Sequence, residues 1–360
     1  MNDPGGSAGS SDGAGVGVGA ARVAEVSLAE VLAAAVVVRV DLRVPFRGVK
    51  SRTAVILTGP CGWGEFAPFA EYGPAESSWW LESAVEAAFV GWPPPVRTAV
   101  GVNAIVPGVG PTQAAELAAA AAVSGARTIK IKVAGAGGSM AADANRVAAV
   151  RGVFGGKIRI DANGAWTPDE AVAALRVLDR IAGGLEYVEQ PCADLAGLAE
   201  VRRRTDVPVA ADESIRRAAD PIAAVKAAAV DVVVLKVPPL GGVRRALAVA
   251  AAAGVPVVVS SAIDTGVGLA AGVAFAAALP ELQHDCGLGT ATLVVDDVVA
   301  PAPIPVGGRL PLTSGAPDPE SLARAAARVS KVEQEAMLAR LRAAWSAAGR
   351  ASSGSGTLKV

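Results

Sequence analysis

The chain reads TIKIKV at residues 128–133, IRIDANG at 158–164, LEYVEQP at 185–191, VPVAADES at 207–214 and VDVVVLKVPP at 230–239. Each segment is an apolar, β-branched run that leads into ionisable side chains. A polar residue ends each of these runs and also the next run along the chain: Lys132, Asp161, Glu189, Asp212, Lys236 and Ser260. The successive spacings between these residues are 29, 28, 23, 24 and 24 positions. A strand, a helix and two short loops need about that length, so the spacing predicts a repeated βα unit.

Three further runs extend the series to eight strand candidates: VNAIV at 102–106, VPVVVSS at 255–261 and LQHDCGLG at 282–289. Apolar strands with helices between them predict a parallel sheet that is covered on both faces, and eight such units favour closure. We therefore predict an α/β protein in which residues 100–299 form a (β/α)8 barrel of the TIM type. An open doubly wound sheet is the weaker alternative, because no Gly-rich phosphate loop follows the first strand.

The two flanks of the barrel are predicted to form one α+β capping domain. Residues 21–99 contain three strand-like segments and an Ala-rich helix at about 76–89. Residues 300–312 are Pro-rich and extended, and 318–348 are predicted as one charged amphipathic helix, so that 300–348 packs back on the N-terminal layer. The ends, 1–20 and 349–360, are Gly/Ser-rich and are predicted to be flexible tails.

The composition excludes several classes of function. The 33 basic and 34 acidic residues give a net charge of −1, so the expected partner is a small molecule, with no nucleic acid and no membrane. The stretch 246–280 carries one charge, but Gly254 and Pro256 interrupt it, which predicts two buried helices around a strand. The first twenty residues lack the basic start and apolar run of a secretory signal.

The counts of cysteine and histidine restrict the chemistry further. Cys61, Cys192 and Cys286 lie far apart and form no C-x-x-C pair, which predicts neither a disulfide framework nor a zinc ribbon and indicates a reducing cytoplasm. The single histidine, His284, excludes any mechanism that needs two imidazoles. His284 and Cys286 are predicted to be packing residues, and acid–base chemistry is left to Lys, Asp, Glu, Tyr or Cys.

Three of the residues that end strands are carboxylates. In a (β/α)8 barrel the carboxyl ends of all strands meet at one mouth, so Asp161, Glu189 and Asp212 become neighbours although they are distant in sequence. A ligand set made only of carboxylate oxygen suits Mg²⁺, for which Mn²⁺ can substitute. Each acid taken singly could be a helix cap or a surface charge. Three of them at successive strand ends favour a metal site.

Lys130 and Lys132 are two residues apart on one strand, so both ammonium groups face the mouth. Their mutual repulsion in a partly desolvated site is expected to lower the pKa of each toward the range of a general base. Solvated lysines on an edge strand are the alternative, and the intervening isoleucines argue against it. Lys236 lies in a run too apolar for an exposed strand, so it needs an anionic partner or a function.

Together these residues predict proton abstraction next to a carboxylate. Such a proton is weakly acidic, so the enediolate that forms needs electrostatic stabilisation, which a divalent metal provides. A lysine on one face would remove the proton. A second cation on the other face would stabilise the intermediate or reprotonate it.

These motifs resemble the enolase superfamily. The shared pattern spans most of residues 22–312 and consists of Lys130-x-Lys132, Asp161-Ala-Asn163, Glu189-Gln-Pro, Asp212-Glu213-Ser and Lys236. It is similar to the muconate-lactonising subgroup, which has a K-x-K on the second strand and a lysine on the sixth. The mandelate-racemase subgroup has a histidine on the seventh strand, and the Ser260-Ser261 pair found there excludes it. The stretches GWGEFAPFAEY (62–72) and SSAIDTGVGLAAG (260–272) resemble the o-succinylbenzoate synthase family in its actinobacterial form.

The resemblance implies a hydro-lyase reaction of menaquinone biosynthesis. Succinyl-hydroxycyclohexadiene carboxylate, a small-molecule carboxylate, would lose water in a magnesium-dependent step and give the aromatic o-succinylbenzoate. By matching position, Lys132 would remove the α-proton and return it to the departing hydroxyl, and Lys236 would lie over the ring as a stabilising cation. Asn163 and Glu213 would orient the ligands, although Asn163-Gly164 is also typical of a plain turn.

The resemblance also implies how the substrate is held. An N-terminal loop with Arg47 and Phe69 would cover the mouth and exclude water. The residues that would bind substrate are Arg47, Ser260, Ser261, Gly287 and Gly289. A surface charge is the alternative for Arg47, and tight turns are the alternative for the serines and glycines.

Two other functions stay open at this stage. N-acylamino acid racemization would use the same two lysines on opposite faces of one carbon, and the metal ligands do not discriminate between the two reactions. A non-catalytic metal-binding barrel is the alternative from another class. Such a protein would be expected to have lost a catalytic charge, and none is missing from the sequence.

Overall fold

A small antiparallel sheet with one long helix begins the fold. The computed structural model describes residues 26–46, 49–216 and 220–349. Helix α1 (Leu28–Ala33) leads into strands β1 (Ala35–Phe46), β2 (Val49–Gly59) and β3 (Gly62–Phe66), which pair in that order. Helix α2 (Pro74–Val85) packs on β3 and continues into a π-helical turn, Glu86–Val90. The β-branched runs of this region form its strands, as β propensity predicts.

A parallel sheet follows, with helices after its strands. Its strands are β5 (Ala104–Val106), β6 (Thr128–Lys132), β7 (Lys157–Asp161), β8 (Leu185–Glu189), β9 (Val209–Ala211), β10 (Val232–Lys236) and β11 (Val257–Ser260), after a short β4 (Ala99–Gly101). The helices are α3 (Pro111–Val123), α4 (Met140–Val153), α5 (Pro168–Ala182), α6 (Leu195–Arg204), α7 (Glu213–Arg216), α8 (Ala223–Lys226), α9 (Val237–Leu240), α10 (Val243–Ala253) and α11 (Gly266–Ala278). Strands β5 to β11 are neighbours in chain order.

Local sequence rules explain where these helices begin and end. In α5, Thr167 caps the first turn in a capping box with Glu170, and Pro168 occupies the first helical position. Gly183 ends the helix with a left-handed φ of 68°. The strands alternate between two environments. Their apolar residues pack against the helices in one large core, which includes Ile129 of β6, and the opposite side chains fill the barrel interior.

The eighth strand departs from the prediction. Within the described residues, the segment predicted at 282–289 forms two isolated bridges in place of a regular strand, Val102 with Cys286 and Ser260 with Gly287. The Gly287 amide donates to Val259 O at 2.7 Å, which joins this segment to β11 and closes the barrel. A Cβ at Gly287 would lie 2.7 Å from the Ser260 hydroxyl, so a larger residue here would displace the Ser260 side chain. The predicted (β/α)8 class is confirmed, with a shortened eighth unit.

The C-terminal segment completes the cap. Strand β12 (Arg309–Pro311) pairs with β4, and helices α12 (Pro319–Ala327) and α13 (Lys331–Ala347) follow. Met337, Leu341 and Trp345 of α13 join one apolar cluster with Trp80 of α2. A cap built from both flanks of the chain is therefore confirmed as part of the fold class.

The prediction of a single helix over residues 318–348 is wrong. The helical structure is interrupted at residues 328–330. Ser330 then caps α13 in a capping box: its hydroxyl accepts a hydrogen bond from Glu333 N at 3.2 Å, and the Glu333 carboxylate accepts one from Ser330 N at 2.9 Å. The S-x-x-E signal was present in the sequence. The predicted tails, apart from Gly349, lie outside the described residues. Among the described helices, none has both the length and the apolar character needed to cross a bilayer.

A buried polar cluster lies where the cap meets the barrel. It consists of Glu65 in β3 and of Asp264 and Thr265, which precede α11. The Glu65 carboxylate accepts hydrogen bonds from the Thr265 amide at 3.1 Å, the Thr265 hydroxyl at 2.5 Å and the Gly268 amide at 3.1 Å. Burial raises the pKa of Glu65 to about 8, and the negative charge of Asp264 acts in the same direction. The hydrogen bonds oppose this shift but do not cancel it.

Stability is therefore expected to fall as the pH rises toward the pKa of Glu65. The folded protein holds this proton more tightly than the unfolded chain, so the contribution is complete below the ordinary pKa of 4.5 and is lost as the pH rises through about 8. We expect Glu65→Gln to flatten the pH dependence of the free energy of unfolding in that range, by up to about 1.4 kcal/mol per pH unit. Urea unfolding at a series of pH values measures it. Glu116→Gln, exposed on α3, is the control, and parallel curves for Glu65→Gln and wild type would contradict the expectation.

Candidate active site

The carboxyl ends of the barrel strands bring the predicted residues to one level. Lys132 of β6 is the Cα partner of Asp161 of β7, and Asp161 is the partner of Glu189 of β8. Across the mouth, Lys236 of β10 is the partner of Ser260 of β11. Residues spread over more than a hundred positions thus lie around one opening, because parallel strands in register end at the same edge.

Each of the three predicted metal ligands pairs with a lysine. Asp161, Glu189 and Asp212 are at most 1% exposed. The pairs are Lys130 with both Glu189 oxygens at 2.9 Å, Lys132 with Asp161 Oδ2 at 2.5 Å, and Lys236 with both Asp212 oxygens. Lys130 Nζ also lies 3.3 Å from Asp161. Three lysines therefore face three buried acids, and Arg216 Nε lies 3.7 Å from Asp212 Oδ1 as well.

The donor set fits a divalent cation by its chemistry. Among the described residues, no three carboxylate, imidazole or thiolate groups stand close enough together to hold a metal ion in the arrangement seen, because each acid turns toward its lysine. The three acids are nevertheless buried oxygen donors at adjacent strand ends, which is what Mg²⁺ prefers. Burial and the charges of Asp161 and Asp212 raise the pKa of Glu189 to about 7, a repulsion that a cation would relieve.

The expected lowering of the pKa of Lys130 is wrong. Burial alone would lower it, but the Glu189 and Asp161 carboxylates outweigh burial and hold the pKa of Lys130 above its ordinary value. The sequence shows the like-charged neighbour two residues away and does not show the two acids across the sheet. Lys130 is therefore a permanent cation between two carboxylates in this arrangement.

Asn163 contacts the predicted base. Its Oδ1 accepts a hydrogen bond from Lys132 Nζ at 2.7 Å, its backbone amide donates to Asp161 Oδ1 at 3.0 Å, and its Nδ2 lies 3.4 Å from Glu213 Oε1. The residue also has a left-handed φ of 48° and precedes Gly164, so it forms a turn as well. Glu213 in turn lies 3.2 Å from Arg216. The two candidates for orienting residues thus stand beside Lys132 and Asp161.

Gln190 is a buried residue of the site that the sequence analysis did not single out. Its Oε1 accepts from the backbone amides of Asp212 at 3.0 Å and Ser214 at 3.2 Å. Its Nε2 donates to Cys192 O at 2.9 Å and to the Ser214 hydroxyl at 2.7 Å. Gln190 therefore ties the end of β8 to the segment after β9 and fixes the backbone of Asp212. The sequence did contain a signal for Gln190, because it directly follows Glu189 in the Glu189-Gln-Pro motif. Only the glutamate of that motif was considered as a site residue.

A small enclosed cavity lies inside the mouth. It is lined by Phe69, Ile105, Lys130, Lys132, Lys236, Ser260, Ser261, Ala262, Ile263, Gly287 and Thr290, and its volume is about 20 Å³. That volume holds about one water. Phe69 was expected at the mouth from the family resemblance, whereas Ile105, Ala262, Ile263 and Thr290 had not been singled out in the sequence.

The predicted substrate residues are only partly brought together. Ser260, Ser261 and Gly287 line the cavity, and the Ser261 hydroxyl lies 3.1 Å from Gly287 O. Gly289 is not among the residues that line the cavity; an added Cβ there would lie 3.2 Å from Asn103 O. Arg47 lies outside the described residues. His284 and Cys286 are not among the residues that line the cavity; His284 Nδ1 lies 3.0 Å from Glu186 Oε1, and Cys286 is buried in the closing segment.

Comparisons with known proteins identify the family of the chain. The family model described as "Enolase C-terminal domain-like" matches residues 113–317, and "Enolase N-terminal domain-like" matches residues 37–88. The o-succinylbenzoate synthase of Thermobifida fusca is 53% identical over 308 residues, which cover 85% of this chain and 95% of the relative. The chain belongs to the o-succinylbenzoate synthase family. The o-succinylbenzoate synthase of Mycobacterium ulcerans is 50% identical over 287 residues, 79% of this chain and 86% of the relative.

Solved structures show the same architecture as this o-succinylbenzoate synthase family member. The L-Ala-D/L-Glu epimerase of Bacillus subtilis superimposes with a TM-score of 0.67 at 25% identity, covering 78% of this chain and 95% of the epimerase. The muconate lactonizing enzyme of Pseudomonas fluorescens gives 0.70 at 20% identity, covering 81% and 97%, and this likeness shows the fold alone. The family that the motifs predicted is confirmed. Its members are hydro-lyases of the enolase superfamily, so a small-molecule substrate follows.

Proposed function

We propose that this chain catalyses the magnesium-dependent loss of water from succinyl-hydroxycyclohexadiene carboxylate, which gives o-succinylbenzoate for menaquinone biosynthesis in the cytoplasm. The observation that carries the proposal is that Lys132 of β6 and Lys236 of β10 line one enclosed cavity at the barrel mouth. The two relatives of 50% and 53% identity that bear the name o-succinylbenzoate synthase support the choice of reaction.

Lys132 is the base in the proposed reaction. Its neutral amine would take the α-proton of the substrate as the C–H bond breaks, and the resulting ammonium would give that proton to the departing hydroxyl as the C–O bond breaks. The products are the aromatic ring and one water, the amine is regenerated, and no oxidant or reductant is needed. Asn163, 2.7 Å from Lys132 Nζ, holds the amine at the mouth.

Lys236 supplies a fixed positive charge on the other side of the cavity. Its side chain is 3% exposed and its Nζ contacts both Asp212 oxygens, so the protonated form has an anionic partner. A buried cation that is already in place stabilises negative charge as it develops on the substrate without reorganising water. Lys130, between Asp161 and Glu189, keeps these two acids close in spite of their repulsion.

Asp161, Glu189 and Asp212 are the residues that would hold Mg²⁺. When bound there, the ion would stabilise the charge of the substrate carboxylate during proton abstraction. With Lys132 as the neutral base, the three acids together with Lys130 and Lys236 carry one negative charge. A divalent cation would offset this charge and part of the charge of the two carboxylates that the substrate brings into the site.

Incubation of the purified protein with the substrate and Mg²⁺ tests the function. We expect the ultraviolet absorption of the aromatic product to appear, to stop on chelation with EDTA, and to return with excess Mg²⁺ or Mn²⁺. Product identity is checked by mass spectrometry, and a related o-succinylbenzoate synthase serves as the active control. No product beside an active control would overturn the proposed function. A rate that chelation leaves unchanged would overturn the role of the metal.

A further inference from the structure

The loop between β3 and α2, residues 67–73, forms part of the cavity wall without being helix or strand. Phe69 of this loop is 7% exposed and lines the inner cavity together with Lys132 and Lys236. One backbone hydrogen bond forms within the loop, from the Tyr72 amide to Phe69 O at 3.1 Å. The position of the loop also depends on side chains outside it that donate to its carbonyl groups.

Arg340 of α13 satisfies three carbonyl groups of that loop. Its guanidinium donates to Pro68 O at 2.9 Å, to Tyr72 O at 2.8 Å and to Phe69 O. A planar guanidinium has five N–H donors in a fixed geometry, so it can hold several carbonyl groups at once, which the ammonium of lysine does less well. One side chain from the last helix thus fixes the backbone on both sides of Phe69.

Phe69 separates two spaces. The inner cavity has a volume of about 20 Å³, and an outer cavity of about 550 Å³ lies between the loop, β2, α7 and α13. Among the described residues that line the two cavities, Phe69 is the one that belongs to both. Phe69 therefore forms the wall between the space beside the lysines and the larger outer space, and its position sets the shape of the surface that a substrate meets beside Lys132 and Lys236.

The face of the Phe69 ring is also held in place. The Arg52 guanidinium carbon lies 4.2 Å from the ring centroid, and Arg52 donates to Ala67 O and, at 3.3 Å, to Ile263 O on the opposite wall. This contact fixes the ring, whereas Arg340 fixes the backbone that carries it. Arg340 itself is not among the residues that line the inner cavity.

We propose that Arg340 is a positioning residue for the reaction: it clamps the loop 67–73 so that Phe69 forms the wall of the inner cavity, and it thereby sets the fit of the substrate beside Lys132 and Lys236. The C-terminal helix, outside the barrel, takes part in substrate selection through this contact. The kinetic consequence rests on the proposed function, while the clamp itself does not.

Hydrogen exchange tests the clamp without any substrate. In Arg340→Ala, amides of residues 67–77 are expected to exchange faster than in the wild type, with the barrel strands unchanged. Arg342→Ala removes the same charge from an exposed position of the same helix and is expected to leave the loop unchanged. Equal exchange in the loop of Arg340→Ala and wild type would overturn the proposal, whatever reaction the protein catalyses.

Steady-state kinetics test the consequence for the substrate. We expect Arg340→Ala to raise KM and lower kcat/KM by about 10- to 100-fold, as a misplaced binding wall does. Arg340→Lys is expected to lie between this variant and wild type, and Arg342→Ala to remain within about twofold of wild type. A fall in kcat at unchanged KM, which a smaller folded fraction would give, would contradict a positioning role. If the alanine variant does not fold, Arg340→Lys is compared with Arg342→Lys in the same measurements.

A double-mutant cycle with Phe69→Ala separates positioning from direct contact. If Arg340 acts through Phe69, the effect of Arg340→Ala on KM is expected to disappear in the Phe69→Ala background. Multiplicative effects of the two substitutions on KM would mean that Arg340 meets the substrate itself, which overturns the proposal. An inactive wild type would overturn the proposed function, and the exchange comparison would still decide whether Arg340 holds the loop.

Discussion

Replacement of Lys132 by arginine is expected to lower kcat by about 10²- to 10⁴-fold, the usual worth of a positioned general base. Arginine keeps the positive charge that faces Asp161, but its guanidinium does not lose a proton at accessible pH, so it cannot accept one from the substrate. The substitution therefore removes proton transfer and retains the ion pair. Product formation followed by ultraviolet absorption gives kcat and KM.

The matched control for this variant is Lys157→Arg. Lys157 begins the neighbouring strand β7, at the opposite end of the barrel, where its ammonium is exposed and lies 2.8 Å from Glu186. The same exchange of side chain at that position is expected to leave kcat within about twofold of wild type. A Lys132→Arg variant as active as Lys157→Arg would show that another group takes the α-proton.

Replacement of Glu189 by glutamine is expected to remove magnesium-dependent activity and to destabilise the fold. The substitution takes one charge from a buried pair and leaves Lys130 with Asp161, 3.3 Å away, as its charged partner among the residues that the structure describes. Loss of one member of a buried ion pair costs about 3–5 kcal/mol, and we expect the lower end because Asp161 remains. Urea unfolding gives the free energy of unfolding, and calorimetric titration with Mg²⁺ gives the loss of binding.

The control for Glu189→Gln is Glu200→Gln. Glu200 is half-buried on the surface of α6, where it pairs with Arg204 at 2.7 Å, and surface ion pairs contribute about 0.2–1 kcal/mol. In the double variant Lys130→Met, Glu189→Gln, part of the lost stability is expected to return, because no unpaired buried charge is left. Equal stability of Glu189→Gln and wild type would contradict the importance of the Lys130 pair. Unchanged Mg²⁺ binding would exclude Glu189 as a ligand.

The strand ends could be predicted from the sequence because two simple rules act together there. Buried parallel strands must be apolar, so a charge at the end of such a run stands out, and regular spacing of these charges reveals the repeated unit. Lys132, Asp161 and Glu189 were placed at one level by this reasoning, and the register of β6, β7 and β8 pairs them directly.

Features that depend on contacts between distant segments could not be predicted. The sequence does not show which acid meets which lysine, so the raised pKa of Lys130 was missed. The family resemblance had pointed to Phe69 at the mouth, but the other apolar walls of the cavity, such as Ala262 and Ile263, look like any core residue in the sequence. The shortened eighth strand depends on how closely Gly287 approaches Ser260, which is a property of barrel closure and not of local propensity. The interruption of the C-terminal helix before Ser330, by contrast, had a local signal, the S-x-x-E pattern of Ser330 and Glu333. The amphipathic pattern on both sides of it favoured one continuous helix.

The cap joins the two ends of a long chain, and this has a consequence for synthesis on the ribosome. Phe69 and the arginine that clamps its loop are 271 positions apart, and Arg39 of β1 meets Glu333 of α13 across 294 positions. At translation rates of about 5–20 residues per second, the first sheet waits roughly 10 to 60 seconds for its covering helix. During that time the nascent chain exposes apolar strands, and the enzyme gains its reaction chamber only when the last helix has been made.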